Sequence, residues 1–347
     1  VPTRSRRAVI RAGGLSLRLH PRTGAIGLVL LLIALGVAFV NLTTGDSPVP
    51  VAEVLKSLAG KGTAGTDFIV YELRLPRVLV TLLVGVALGA SGAVFQSLTR
   101  NPLGSPDFVG LTTGAASGAL IVMLITGGGG LRVGAGAIIG CVITAVAVYL
   151  LAFRRGVQPF RLVLMGIGVS ALLEAFNSYL IYRAQLNEAI AAQVWLIGSV
   201  NGRGWTEVVI VAVTVVVLVP LILYYGRHLK VLALGDEMAV LQGVPVERSR
   251  AILALAAVGL SAGATAAAGP IAFVALAAPP LAARLSRSPD AGILPAAVMG
   301  AALLSAGDWA AQNVLPSDNI PVGVVTAALG GLYLTWLLLH ERRGARA

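Results

Sequence analysis

Apolar runs near helix-spanning length, broken by short stretches rich in charge, Gly and Pro, set the rhythm of the whole chain. They fall at about 25–42, 77–98, 107–126, 132–152, 161–182, 206–225, 250–268, 270–284, 293–312 and 320–339. Runs of this length without strand-like alternation predict membrane-crossing helices. The fold class expected is therefore all-α, a polytopic membrane protein of about ten transmembrane helices. Outside the runs, Val51–Leu58 has the pattern of a short surface helix within a longer polar segment, 43–76.

Composition agrees, since 57% of residues are hydrophobic, 12% are charged and the mean hydropathy is +0.88, outside the soluble range. The net charge of +11 would suit nucleic acid, but its distribution argues for a membrane instead. With the N-terminus inside, Arg4, Arg6, Arg7, Arg11, Arg18, Arg22, Arg100, Arg154, Arg155 and Arg161 gather on one side. Arg227, Lys230, Arg248, Arg250, Arg284, Arg287, Arg342, Arg343 and Arg346 join them, most of the 26 basic residues. The positive-inside rule then predicts cytoplasmic termini, with lipid rather than nucleic acid as the surrounding partner. The domain reading is a basic tail 1–24, a single membrane domain 25–340 and a short tail 341–347. No A-x-A-like cleavage site follows the first run, which favours an uncleaved helix over a signal peptide. The lone Cys141 lies in an apolar run and reads as a packing residue.

Chemistry concentrates in a few interruptions. Gly85 and Gly89 form one G-x-x-x-G ridge, and Gly110, Gly114 and Gly118 a doubled one. With the small residues of 261–266, these predict close helix packing. Gln96, Arg100, Asn101, Pro102 and Pro106 stand between the two ridged helices, and Pro279–Pro280 inside the eighth run. Both are expected breaks beside a translocation path, with an ordinary surface turn as the alternative for the first. Glu174 and Asp308 are ionisable groups within runs; Glu174, with Asn177 a turn onward, is a path candidate or a buried, hydrogen-bonded side chain. The stretch VLALGDEMAVLQGVPVERSR, 231–250, is a charged island inside the cytoplasmic segment 226–250. Asp236 is placed to cap a short helix, Gly243 to end it and Pro245 to open the next.

Four ordered blocks carry a resemblance. They are RLPRVLVTLLVGVALGASGAVFQSLTRNPLGSPDFVGLTTGAASGA at 74–118, WLIGSVNGRGW at 195–205, LALGDEMAVLQGVP at 232–245, and GPIAFVALAAPPLAARL with IPVGVVTAALGGLYLTWLL in the last quarter. Together they resemble the FecCD-type permeases, membrane subunits of type II ATP-binding-cassette importers for iron–siderophores, haem and vitamin B12. The resemblance implies ten helices per subunit, a second permease copy, identical or related, and a substrate-binding protein outside. It also implies separate ATPase subunits that carry ATP and Mg2+, with no cofactor or metal on this chain and no enzymatic activity of its own. No G-x-x-x-x-G-K-[ST] phosphate loop occurs in the sequence, in keeping with that division of labour. Leu234, Gly235, Asp236, Glu237, Ala239 and Gly243 match the coupling helices that seat in the ATPase, with Met238 and Leu241 as their apolar face. Arg74 and Arg77 correspond to the pair that meets acidic groups of the binding protein. Departures are Pro280 where many relatives have His, Gln312 where Arg is common, and Asn319 where an acid is usual. The ending GGLYLTWLL favours an iron(III)–siderophore cargo over vitamin B12.

A proton-coupled secondary transporter would need midplane relays and repeat symmetry, and Glu174 and Asp308 make a poor relay. An intramembrane enzyme would need clustered acids or histidines, whereas His20, His228 and His340 are scattered in basic flanks.

Overall fold

The protein is described from a computed structural model over residues 8–12, 15–19, 21–45, 47–106, 110–152, 159–288, 292–314 and 320–344. Of the positions used above, Arg4, Arg6, Arg7, Arg154, Arg155, Arg346 and Asn319 lie outside these residues. Strands β1 (Ala8–Ala12) and β2 (Leu15–Leu19) pair antiparallel in the basic tail, with Ala8 opposite Leu19 and Ala12 opposite Leu15. From residue 21 onward the described chain is helical, as the all-α expectation has it.

The helices are α1 (Pro21–Thr43), α2 (Val51–Leu58), α3 (Ala64–Asp67), α4 (Leu75–Thr99), α5 (Leu111–Ile125), α6 (Leu131–Ala152), α7 (Pro159–Arg183) and α8 (Leu186–Ile197). They continue with α9 (Trp205–Tyr224), α10 (Gly226–Ala233), α11 (Asp236–Leu241), α12 (Val246–Ala268), α13 (Val274–Ser286), α14 (Ile293–Asn313) and α15 (Val322–Gly344). Each of the ten apolar runs coincides with a helix, and α2 occupies the residues read as a surface helix. A π-helical segment, Phe68–Arg74, joins α3 to α4, so the second run is the end of a longer rod, Ala64–Thr99. The short α8 is an addition to the ten. Among the described residues, seven helices are long and apolar enough to cross a membrane, while α5, α8, α13 and the apolar part of α15 are shorter.

Helix α4 is the hub: its most apolar stretch is 78% buried, against 17% for that of α7. Glycine is what lets it sit there. A Cβ added to Gly85 or Gly89 would run into the backbone of α14 at Gly300–Ala301 or Ala296–Ala297, and one on Gly92 into the Ala275 carbonyl of α13. The second ridge works the same way, with Gly114 and Gly118 of α5 set against Gly136, Gly140 and Thr144 of α6. Such contacts gain dispersion and close approach that no larger residue permits.

The prolines do not break the eighth run. Pro279 and Pro280 both lie within α13, and the interruption comes earlier, at Gly269–Phe273, where Gly269 and Phe273 take positive φ of 74° and 70°. Each proline lacks the N–H that would serve the carbonyl four residues back. The Leu276 carbonyl, deprived by Pro280, accepts instead from Gln96 Nε2 at 3.0 Å. The Ala275 carbonyl, deprived by Pro279, faces the α4 backbone at Gly92. Backbone around the true break is satisfied by protein as membrane depth requires: Ser199 N–H donates to the Ala268 carbonyl at 2.8 Å, and Gly323 N–H to the Gly198 carbonyl at 3.1 Å.

Gly89→Val should therefore lower stability by about 1–3 kcal/mol by overpacking against α14. The same change at Gly36, where a Cβ meets nothing within 4 Å, should leave the melting temperature of the detergent-solubilised protein close to wild type. Equal shifts for the two would show that the ridge is not what holds α4 to α14.

Candidate functional site

The charged island folds as two short helices joined at Gly235, whose φ of 125° opens α11. Gly235, rather than Asp236, is thus the capping residue, and Asp236 is the first residue of α11. Gly243, with φ of 71°, ends the helix. Its N–H bonds the Val240 carbonyl at 2.9 Å and that of Val244 the Ala239 carbonyl at 2.9 Å, the paired bonds of a Schellman turn. Pro245 takes the cap position of α12.

This makes a rigid two-helix element with an apolar outer surface, anchored by buried Leu229, Val231 and Leu232 of α10 and by one buried residue of α11. Ala239 is fully buried, while Leu234, Met238, Val240 and Leu241 are exposed, Leu241 by 81%. Leaving that much apolar surface uncovered on a six-residue helix is costly unless a partner covers it. Glu237 and Gly243 are exposed on the same element.

Asp236 does not cap; it accepts from two arginines. Arg100 Nη2, at the end of α4, and Arg250 Nη2, in the first turns of α12, each lie 2.7 Å from Asp236 Oδ1. Partial burial pushes this carboxyl up, but the hydrogen bonds and charges of Arg250 and Arg100 prevail and hold it below the usual carboxylate range. A further tie, His228 Nδ1 to Ser249 Oγ at 2.8 Å, joins α10 to α12. The sequence reading set Arg100 in the break between the ridged helices and, with Arg250, on the cytoplasmic side; no local spacing pairs either with Asp236.

Beside this element lies a cavity of about 740 Å³ bounded by α4, α10, α13 and α15. Gln96, Asn101 and Pro102 line it, as do Pro279, Pro280 and Leu234. Three of the five path candidates thus come together, but their polar groups have structural partners. Gln96 is committed to the Leu276 carbonyl, and Asn101 Oδ1 accepts from Leu103 N–H at 2.9 Å in a side-chain-closed turn. Glu174 and Asn177 are elsewhere, on α7. Glu174 is exposed on the little-covered side of that helix, while Asn177 is 6% exposed and its Oδ1 has no hydrogen-bond partner among the described residues.

At the other end of α4 the two arginines read as docking charges are turned into the chain. Arg74 donates to the carbonyls of Leu42 (2.7 Å) and Ser47 (2.5 Å). Arg77 grips Asp308 of α14, Nη2 to Oδ1 at 2.7 Å and Nε to Oδ2 at 3.3 Å, with Asp308 fully buried and Gln312 Nε2 adding a bond at 3.0 Å. A docking role would have to compete with these contacts. Asp308 was singled out as a buried ionisable group; its partner, 231 positions away, left no trace in local pattern.

The depressed titration of Asp236 has a testable sign. Stabilisation from its ionised form is present above the ordinary carboxylate value, about pH 3.9, and is lost as pH falls through the lower folded value. Asp236→Asn should accordingly reduce thermal stability at neutral pH by a small amount, because the site is half exposed. The difference from wild type should shrink in melts taken below that ordinary value and vanish once the pH lies under the lower folded one. A difference that persists unchanged in acid would remove the ionised Asp236 from the clamp.

Comparison with known proteins places these features in a family. Residues 29–340 match the FecCD transport family. The chain is 44% identical over 303 residues to the ferric enterobactin transport system permease FepG of Escherichia coli, covering 87% of this chain and 92% of that one. It is 37% identical to the achromobactin transport system permease CbrC of Dickeya dadantii, over 96% and 97% of the two chains. Identity to the iron(3+)-hydroxamate import permease FhuG of Bacillus subtilis is 34%, over 90% and 95%. Among solved structures, an inward-facing metal-chelate type ABC transporter superposes with a TM-score of 0.81 at 25% identity, over 91% of this chain and 99% of that one. The helical bundle, its glycine-keyed hub and its two-helix charged island are thus those of a membrane transport protein, and the chain belongs to the FecCD transport family.

Proposed function

We propose that this chain is the permease subunit of an ATP-binding-cassette importer that carries an iron(III)–siderophore across the bacterial inner membrane. The observation that carries the reading is the element α10–α11: short, rigidly capped, clamped by Asp236, and displaying Leu234, Met238, Val240 and Leu241 to a partner. A groove on a separate ATPase subunit, which binds ATP and Mg2+, suits such a surface, because a stiff lever delivers displacement that a slack loop would absorb. Hydrolysis belongs to that subunit, and a substrate-binding protein supplies cargo from outside. In this reading the ten runs all cross the membrane, with the shorter helices α5 and α13 enclosed by longer ones, and both termini are cytoplasmic. The uncovered side of α7, carrying exposed Glu174, is assigned to the interface with a second permease subunit, where a carboxylate in a membrane helix escapes lipid. Arg74 and Arg77 are assigned to bracing the outer end of α4.

Ferric siderophores are preferred as cargo because the relatives named for ferric enterobactin, achromobactin and iron hydroxamates match nearly the full chain. Deleting the gene should abolish uptake of one class of radiolabelled ferric chelate in a panel of catecholates, hydroxamates and citrate. That uptake should survive collapse of the proton gradient while ATP is maintained. Loss of haem or cobalamin uptake instead would keep the importer and overturn the cargo. Uptake that stops with the gradient while ATP persists would favour a secondary transporter.

The lever yields a second expectation. A Cβ at Gly243 meets nothing within 4 Å, so substitution there acts through the positive φ alone. Gly243→Val should cost about 1–2 kcal/mol locally and tilt α11, whereas Asn, which tolerates that conformation, should be milder. Membrane insertion should be normal and uptake reduced in the order Gly, Asn, Val; equal uptake by all three would detach α11 from coupling.

A further inference from the structure

The two helices of the lever meet at a single side chain from the bundle, that of Arg100. Its Nη2 and Nε donate to the Leu232 carbonyl at 3.1 and 3.3 Å, and Nη2 donates to Asp236 Oδ1 at 2.7 Å. Leu232 lies in the last turn of α10, where the helix end is negative and its carbonyl also accepts the turn N–H of Gly235 at 3.2 Å; Asp236 opens α11. One guanidinium therefore holds the end of one helix and the start of the next.

The point from which it reaches is itself held. Arg100 takes φ 50° and ψ 35° at the end of α4, where Arg100 N–H bonds the Ser97 carbonyl at 3.4 Å and Asn101 N–H the Gln96 carbonyl at 3.1 Å. Glycine is the residue that adopts this conformation without steric cost. Helix α10 also packs directly against α4, and the 740 Å³ cavity opens beside that contact with Arg100 at its edge. Behind Arg100, α4 is keyed into α14 through Gly85 and Gly89, so a force on its end is carried by two transmembrane helices. Asp236 simultaneously receives Arg250, which ties the same lever to α12.

We propose that Arg100 is a positioning residue for energy coupling, transmitting displacement of the ATPase-docking lever to the inner end of α4. This rests on the importer reading above. Arg100 touches neither cargo nor nucleotide in this role; it acts by holding α10–α11 in register with the bundle.

The left-handed backbone at Arg100 makes a clean variant available, because Arg100→Gly removes the guanidinium while suiting the local conformation. Arg287 supplies the control: it ends α13 with φ 48°, and among the described residues its side chain makes no hydrogen bond or ion pair with the lever. The assembled complex of permease, ATPase and binding protein is reconstituted in proteoliposomes. ATP hydrolysis, its stimulation by the binding protein, and uptake of radiolabelled ferric enterobactin are then measured together.

Arg100→Gly should assemble normally and lower both the stimulation and the uptake per ATP by roughly two- to thirty-fold, the span of coupling that single positions carry. Arg100→Lys, which keeps one charged donor, should recover part of the loss, and Arg287→Gly should behave as wild type. Combined with Asp236→Asn, Arg100→Gly should add less than it does alone, because the two share one contact. Wild-type coupling in Arg100→Gly, or equal loss in Arg287→Gly, overturns the proposal. A wild-type complex with no binding-protein-stimulated hydrolysis overturns the importer reading instead. If hydrolysis is stimulated but ferric enterobactin is not taken up, stimulation alone decides the role of Arg100.

Discussion

The close approach of α4 to its neighbours is the constraint on which the rest of this structure depends. In a bilayer no hydrophobic force draws one apolar helix to another, so cohesion comes from packing and from polar groups that have nowhere else to go. Gly85, Gly89 and Gly92 bring the α4 backbone against α14 and α13. Ser91 Oγ adds a 2.7 Å bond to the Ala257 carbonyl of α12. Every functional feature hangs from this hub, with the Arg77–Asp308 pair at one end and the Arg100 contact with the lever at the other.

Irregular backbone is accommodated by the same logic. Just before the interruption at Gly269–Phe273, the Ala268 carbonyl accepts from Ser199 N–H in the loop after α8, and that loop in turn is bonded to the start of α15 through Gly323 N–H and the Gly198 carbonyl. The two prolines of α13 are tolerated because α4 presents Gln96 to one freed carbonyl and the bare face of Gly92 to the other. The ion pair of Arg77 with fully buried Asp308 is bidentate and supplemented by Gln312, the arrangement in which a buried pair repays its desolvation. Gln312 serves here as a neutral donor to a carboxylate already paired.

The element α10–α11 combines two properties that rarely coincide in a connector, stiffness and an apolar outer surface. Its stiffness comes from the paired bonds at Gly243 and from the double ion pair at Asp236; its outer surface comes from residues that would be buried in a soluble helix of this size. A half-exposed ion pair contributes little to stability, so the Asp236 cluster is better understood as setting the position of the lever than as holding the fold together.

The sequence by itself determined the class, the places of ten apolar helices though not of α8, the surface helix at 51–58, the glycine ridges and the charged island. These are legible because each depends on local composition: bilayer thickness fixes run length, close packing demands small residues at fixed spacing, and a left-handed helix end demands glycine at 243. The break at residue 269 was legible too, in Gly269–Pro270, but the proline pair ten residues on drew the attention. A proline's effect depends on whether another helix supplies the missing donor, and Gln96 is 180 positions away. Only the tertiary structure decided the partners of Arg74, Arg77, Arg100 and Arg250, that Glu174 and Asn177 stand apart from the cavity, and that Gln96 donates to the Leu276 carbonyl. Charged and amide groups choose partners by proximity in the folded bundle, and that proximity is created by helix packing across hundreds of positions, where no local pattern records it.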